Sequence, residues 1–273
     1  MNNSILLHTF ISFFAGGIFI TFLTLIAEKS SEKTAGIILM FPSTLMLGFF
    51  FLGWTTSSQT VSKIAPSTLI PLGVGISAST IYIYVSIFLS RYIKEKLKQI
   101  VATLIISTLL WMVLALPFAV IHIRNIIIGT VGYLVFVVSS HILLNINKKP
   151  INLSQVKYTP FQILLRAVFV GLTISTVVVL SSVLNPFWGG IFAMFPSVTF
   201  SSLIIFHYYY NPEQLFYFMK KAPIGSISLY AYDISAMVLF KKIGFIAGSL
   251  VCVVISLIVS VMLSRLQNIK RFS

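Results

Sequence analysis

The chain is poor in acids. Only Glu28, Glu32, Glu95, Glu213 and Asp233 occur among 273 residues, and charged residues of both signs make up 9%. So little charge excludes a solvated disordered chain and an ordinary water-facing surface. The single cysteine, Cys252, excludes an intrachain disulfide, and its apolar neighbours predict a packed, unreactive thiol. Four histidines, His8, His122, His141 and His207, are widely spaced and lack the separations of metal ligands. No Ser/His/Asp or paired-carboxylate constellation is visible, and no nucleotide-binding loop. The reading is therefore not an enzyme, with no cofactor and no metal expected. The N-terminus lacks a basic leader and a cleavage site, which predicts a retained first helix rather than a signal peptide.

What is abundant is apolar. Hydrophobic residues reach 58%, mean hydropathy is +1.01, and long uncharged runs predict an all-α polytopic membrane protein. The net charge of +14 does not indicate nucleic acid, because the bases sit in short loops between apolar spans. Nine helices are predicted, at roughly 5–27, 35–54, 67–90, 100–121, 125–146, 161–184, 189–210, 224–240 and 243–264. The stretch 100–146 must break, since 47 helical residues would reach ~70 Å against a hydrocarbon core of ~30 Å. Arg124-Asn125 is its natural turn. With these spans, fourteen bases fall on one side and four on the other (Lys63, Arg124, Lys241 and Lys242), while Arg166 lies inside a span. That bias predicts an inner-membrane protein with its N-terminus out and its C-terminus in. The expected partners are membrane lipids and a small solute or ion, with a homo-oligomer left open.

One motif occurs twice. Gly36-Ile37-Ile38-Leu39-Met40-Phe41-Pro42-Ser43-Thr44 returns as Gly190-Ile191-Phe192-Ala193-Met194-Phe195-Pro196-Ser197-Val198. Gly17 and Gly171 each lie 25 residues before the motif proline, and Lys63-Ile64-Ala65-Pro66 resembles Lys220-Lys221-Ala222-Pro223 after a three-residue gap. Such an echo is the mark of an internal repeat. Five predicted helices precede the second copy, an odd number, so the two copies point oppositely through the membrane. One membrane domain, 1–273, thus divides into repeat one at about 5–146, repeat two at about 161–264 and a linker at about 147–160. Helix 243–264 could match either 100–121 or 125–146. Inverted repeats recur in secondary transporters.

The motif also carries a family resemblance. Ala27-Glu28-Lys29-Ser30, then Ala35-Gly36 through Phe41-Pro42-Ser43-Thr44, then Ala65-Pro66, resembles the signature of the GlpM-like small membrane proteins. The likeness covers about residues 13–90 and, more weakly, 167–240; the second copy has Asn185-Pro186-Phe187-Trp188 in place of the charged loop. The resemblance implies a fused double version of a polytopic inner-membrane protein suspected of transport, with no assigned substrate.

Candidate site residues follow from the cost of polarity in lipid. Pro42 and Pro196 lack an N–H and should break their helices, freeing carbonyls near Ile38 and near Phe192 or Ala193. Ser43, Thr44, Ser197 and Thr199 could satisfy them, or a solute could. The alternative is a packing device in which Pro sets a bend and small residues admit a close neighbour. Asp233 falls mid-span, where an acid costs about 2.5–3.5 kcal/mol on insertion scales, so it should face a polar interior, pair with a base or be protonated. It is either a coupling carboxylate or part of a poorly formed or re-entrant segment that reaches the interface. Arg166 either snorkels to the headgroups or serves as counter-ion to Asp233 or to an anionic solute. His141 and His207 are expected at the interface. Gly73, Gly75, Ser77 and Ser79 are expected to form a close-packing face. The leading function is a secondary transporter or facilitator, with a non-transporting scaffold or accessory subunit, or a channel, as alternatives.

Overall fold

The computed structural model describes residues 3–29, 41–146 and 158–269. Most of the first motif, 36–40, and the linker, 147–157, lie outside the described residues, as does the charged loop after Lys29. The elements are α1 (Asn3–Lys29), α2 (Ser43–Thr55), α3 (Ser58–Ser90), α4 (Lys96–Ala115), α5 (Phe118–Ile121), α6 (Ile126–Asn145), α7 (Pro160–Val183), α8 (Pro186–Phe192), α9 (Ser197–Tyr209), a short 3-10 turn (Pro212–Gln214), α10 (Leu215–Met219) and α11 (Ala222–Ile269). Seven helices among the described residues are long and apolar enough to cross a membrane, and Ser43–Thr55 is a shorter apolar one. This is an integral, all-helical membrane protein in its described part.

Local chemistry sets most boundaries. Asn125 Oδ1 accepts the Ile127 N–H at 2.8 Å and starts α6, after His122 has turned the chain through a left-handed conformation (φ 51°). The predicted break at 124–125 is therefore made over 122–125. Thr159 and Gln162 form a reciprocal capping box that starts α7. One boundary differs from expectation. The third helix begins at Ser58, not near 67, because Ser57 Oγ accepts the Thr60 N–H and supplies the cap. Pro66 and Pro71 are absorbed inside it. This helix is central, packing on α4, α6, α8 and α11, the last around residues 233–237.

The predicted helices 224–240 and 243–264 are the two limbs of α11, which reverses at Gly244. Tyr232 OH lies 3.4 Å from Ser249 Oγ, and Ser256 Oγ donates to Ser228 O at 2.8 Å, so the limbs run antiparallel. Gly244 has φ 80° and ψ 172°, a region essentially reserved to glycine. A Cβ there would meet nothing within 4 Å, so any penalty is purely one of backbone strain. Gly244→Ala is expected to cost about 1–3 kcal/mol, read as a lowered thermal midpoint in detergent. An unchanged midpoint would mean that the bend is relaxed.

Helix α1 runs antiparallel to α7 along a seam of small residues. A Cβ on Gly17 would stand 3.2 Å from Ala167 O, and one on Gly171 would stand 2.7 Å from Phe13 O. Each motif-linked glycine thus meets the residue four positions before the other, a self-complementary contact. Such seams let helices associate in lipid, where burial from water offers no driving force. Gly171→Val should destabilise by about 1–3 kcal/mol through overpacking against backbone, again read in thermal unfolding. Leu6, Phe10, Phe14 and Ile18 form an exposed row on α1, as expected of a lipid-facing stripe.

Candidate functional site

The two prolines break the chain in the same way. Pro42 has φ −77° and ψ 48°, and Pro196 has φ −79° and ψ 51°. Ser43 N–H donates to Phe41 O and Ser197 N–H to Phe195 O, both at 2.8 Å, closing an inverse γ-turn at each proline. In an unbroken helix the Ser197 N–H would reach Ala193 O; the turn takes that donor away. Phe192 O, by contrast, is satisfied by the Phe195 N–H at 3.0 Å, so the carbonyl released is Ala193's. The corresponding position in the first motif lies outside the described residues.

Helices α2 and α9 begin at these breaks and meet there. Thr44 Oγ1 lies 3.4 Å from Ser197 Oγ. Phe19 packs on Phe41 and His8 on Trp54, so α2 runs antiparallel to α1. Gln162 Nε2 donates to Tyr209 OH, and Phe169 packs on Phe195, so α9 runs antiparallel to α7. With α1 and α7 themselves antiparallel, α2 and α9 leave their meeting point in opposite directions. Val198 packs against a cluster that includes Val170, Ile174 and Val178, which places the meeting point near the middle of α7. Ser43 and Ser197 are buried, and Thr44, Pro196 and Thr199 are half-buried.

The surroundings are tight. A Cβ at Gly48 would stand 2.6 Å from Ala193 Cβ, and one at Gly75 would stand 3.0 Å from Met194 O. The expected close-packing face of α3 divides in two: Gly75 meets Met194, whereas Gly73 abuts Tyr133 and Ser77 Oγ donates to Phe136 O at 3.1 Å and lies 2.9 Å from Ser140 Oγ.

Asp233 is fully buried in the first limb of α11. The segment is a regular helix, which removes the reading that its acid sits in a poorly formed stretch. Asp233 Oδ2 lies 2.8 Å from Thr68 Oγ1, and Oδ1 has no hydrogen-bond partner. Thr68 Oγ1 is also 2.7 Å from Ala65 O. One hydroxyl proton thus faces two acceptors. If Thr68 donates to Ala65 O, Asp233 must carry a proton and donate to Thr68; if Asp233 is a carboxylate, Thr68 turns to it and leaves Ala65 O. Gly190 of the second motif abuts Thr68 and Ile64, which ties this pair to the motif through α3.

Arg166 does not reach Asp233. It is 4% exposed, its guanidinium carbon lies 5.9 Å from the centre of the Tyr158 ring, and its Nε has no partner. The alternative in which Arg166 pairs with Asp233 is not realised, because α7 packs on α1, α2, α8 and α9 whereas Asp233 faces α3. Nor does Arg166 snorkel into the open. His207 also departs from expectation. It is fully buried, with Nδ1 3.2 Å from Tyr82 OH, because α9 turns that face onto α3.

Thr68 and Tyr82 are site neighbours that sequence reasoning missed. Thr68 lies two residues after Pro66, and a hydroxyl beside an intramembrane proline was the available signal. Among the described residues no group of three His, Cys, Asp or Glu side chains could hold a metal ion. No family model, no curated protein and no solved structure matches the chain.

Proposed function

We propose that this membrane protein is a secondary transporter or facilitator of a small solute or ion, built as an inverted duplication whose two broken helices form the central site. The observation that carries the reading is the meeting of Thr44 and Ser197 at two identically broken helix starts in mid-span. Non-helical backbone at membrane depth is tolerated where protein or a water-filled cavity surrounds it, and discontinuous helices of this kind recur at transporter binding sites. The antiparallel α1–α7 seam, self-complementary about Gly17 and Gly171, supports the inverted relation. So does the placement of the second limb of α11. Its Phe245 abuts Gly53 near the end of α2, as Lys96 at the start of α4 donates to Tyr210 O at the end of α9. On this reading 243–264 matches 100–121, the chain crosses nine times, and the base bias sets the N-terminus outside. With no nucleotide loop in the sequence, an ion gradient drives the solute, and Asp233 is the carboxyl that takes the coupling proton or cation. A fused relative of the GlpM-like proteins would fit this plan.

A scaffold reading draws on one observation, the tight seams at Gly48–Ala193 and Gly75–Met194, which close the breaks against neighbouring helices. Two measurements decide. In proteoliposomes, imposed proton or sodium gradients should drive uptake of at least one member of a solute panel; no flux for any member favours the scaffold. With Cys252→Ala as background, single cysteines near residue 30 and near residue 185 should label from opposite faces. Labelling from one face would overturn the inverted arrangement.

A further inference from the structure

A cavity of about 430 Å3 opens beside the start of α3, where α5, the 122–125 turn and α8 converge. Its wall is divided. Lys63, Arg124 and Thr60 supply its polar part, and Ile64, Pro66, Pro186 and Phe187 make the apolar part. Both cations are exposed, and neither has a carboxylate within ion-pair distance among the described residues. Among the described residues no acid offers a remedy nearby. Glu95 pairs with Lys98 at the opposite end of α3, and Asp233 is buried one turn below Ile64 against Thr68.

Two unpaired cations lining one concave, half-apolar wall concentrate positive potential, and an anion seated between them relieves it. Arg124 offers a planar fork for a carboxylate or phosphate oxygen pair, and Lys63 a point charge. One aromatic residue, Phe187, lines the cavity. The Phe187 ring has the His122 ring tilted against it at 3.9 Å between centres. The volume lies within the range of small-ligand sites, about 300–1,000 Å3. A cationic solute is repelled here, a neutral polar solute leaves both charges unanswered, and an inorganic anion leaves the apolar wall uncovered.

We infer that this cavity binds a small organic anion, a carboxylate or phosphate on a compact apolar body. That this anion is also the transported solute rests on the transport reading above; the binding itself does not. The position suits entry, since Ile64 lines the cavity and abuts Gly190 of the second motif, with Thr68 and Asp233 one turn further on.

The test uses full-length protein in phosphatidylcholine nanodiscs, with radiolabelled benzoate followed by equilibrium dialysis. Benzamide, of the same shape without charge, and inorganic phosphate, charged without an apolar body, are the comparison ligands. Benzoate should bind at least about tenfold more tightly than either. Lys63→Gln with Arg124→Gln should weaken it at least about tenfold while elution and helical content stay unchanged, since both side chains are exposed. Equal binding of benzamide, no saturable benzoate binding up to about 10 mM, or an indifferent double variant would overturn the inference. Phosphatidylglycerol in the nanodisc separates the two sources of anionic groups. Unchanged benzoate affinity supports a soluble ligand, and loss of affinity assigns the cavity to a lipid headgroup and overturns the soluble one. The two readings fail separately. Benzoate binding without flux of any solute leaves the cavity standing and removes transport; flux of a neutral solute without benzoate binding does the reverse.

Discussion

Asp233→Asn is expected to lower gradient-driven uptake by about 100-fold or more, equivalent to ~2.7 kcal/mol, while leaving the thermal midpoint unchanged or raised. The two readouts together separate a working carboxyl from a structural one. Asp233 is fully buried, has one oxygen without a partner, and shares the other with a single Thr68 hydroxyl. A group retained for stability would be better served. Asparagine keeps the shape, removes the titratable site and still reaches Thr68 through either end of its amide. Removing an unmatched charge-bearing group from a buried place is often neutral or stabilising. Loss of uptake with retained stability is therefore the outcome for a coupling residue. Parallel loss of both would return Asp233 to the structural frame. Thr68→Val sharpens the result. It takes away the shared hydroxyl, so uptake should survive with an altered pH profile, because the acid remains and its only bonded neighbour is gone.

The second large effect is at the meeting of the broken helices. Thr44→Val combined with Ser197→Ala should reduce uptake by about tenfold or more, with a stability change below about 1 kcal/mol. The contact between these hydroxyls is long, 3.4 Å, and interhelical hydrogen bonds in membranes average only about 0.6 kcal/mol. Their removal thus hardly disturbs packing, which the glycines at 48 and 75 maintain. A polar pathway through the breaks would lose the two hydroxyls that meet there, keeping only those of Ser43 and Thr199. If uptake persists at the wild-type rate, the solute passes elsewhere and the prolines serve packing alone.

Much of the architecture was legible because it rests on local chemistry. Pro42 and Pro196 removed an N–H wherever they stood, and both helices restart at the next residue. The apolar length of 100–146 demanded a turn, and Arg124-Asn125 marked its place; that Asn125 caps the next helix came from the structure. Gly17 and Gly171, set equally far before the prolines, turned out to face the same seam. The start of α3 was less legible, because the hydroxyl cap at Ser57 extends a helix whose polar first turns resemble a loop. His207 looked interfacial from its place near a span end, and only the orientation of α9 on α3 buries it beside Tyr82.

By itself, the order of residues determined that the chain must live in lipid, where its helices break and which acid is out of place, because hydropathy, a missing amide hydrogen and the cost of a buried carboxyl are properties of residues and their immediate neighbours. Tertiary structure alone decided that Asp233 answers to Thr68 rather than to Arg166, that Thr44 meets Ser197 across 153 positions, and that Lys63 shares a cavity with Arg124. In a bilayer the pairing of distant helices is set by how closely their small residues let them approach, and that fit belongs to no single stretch of chain.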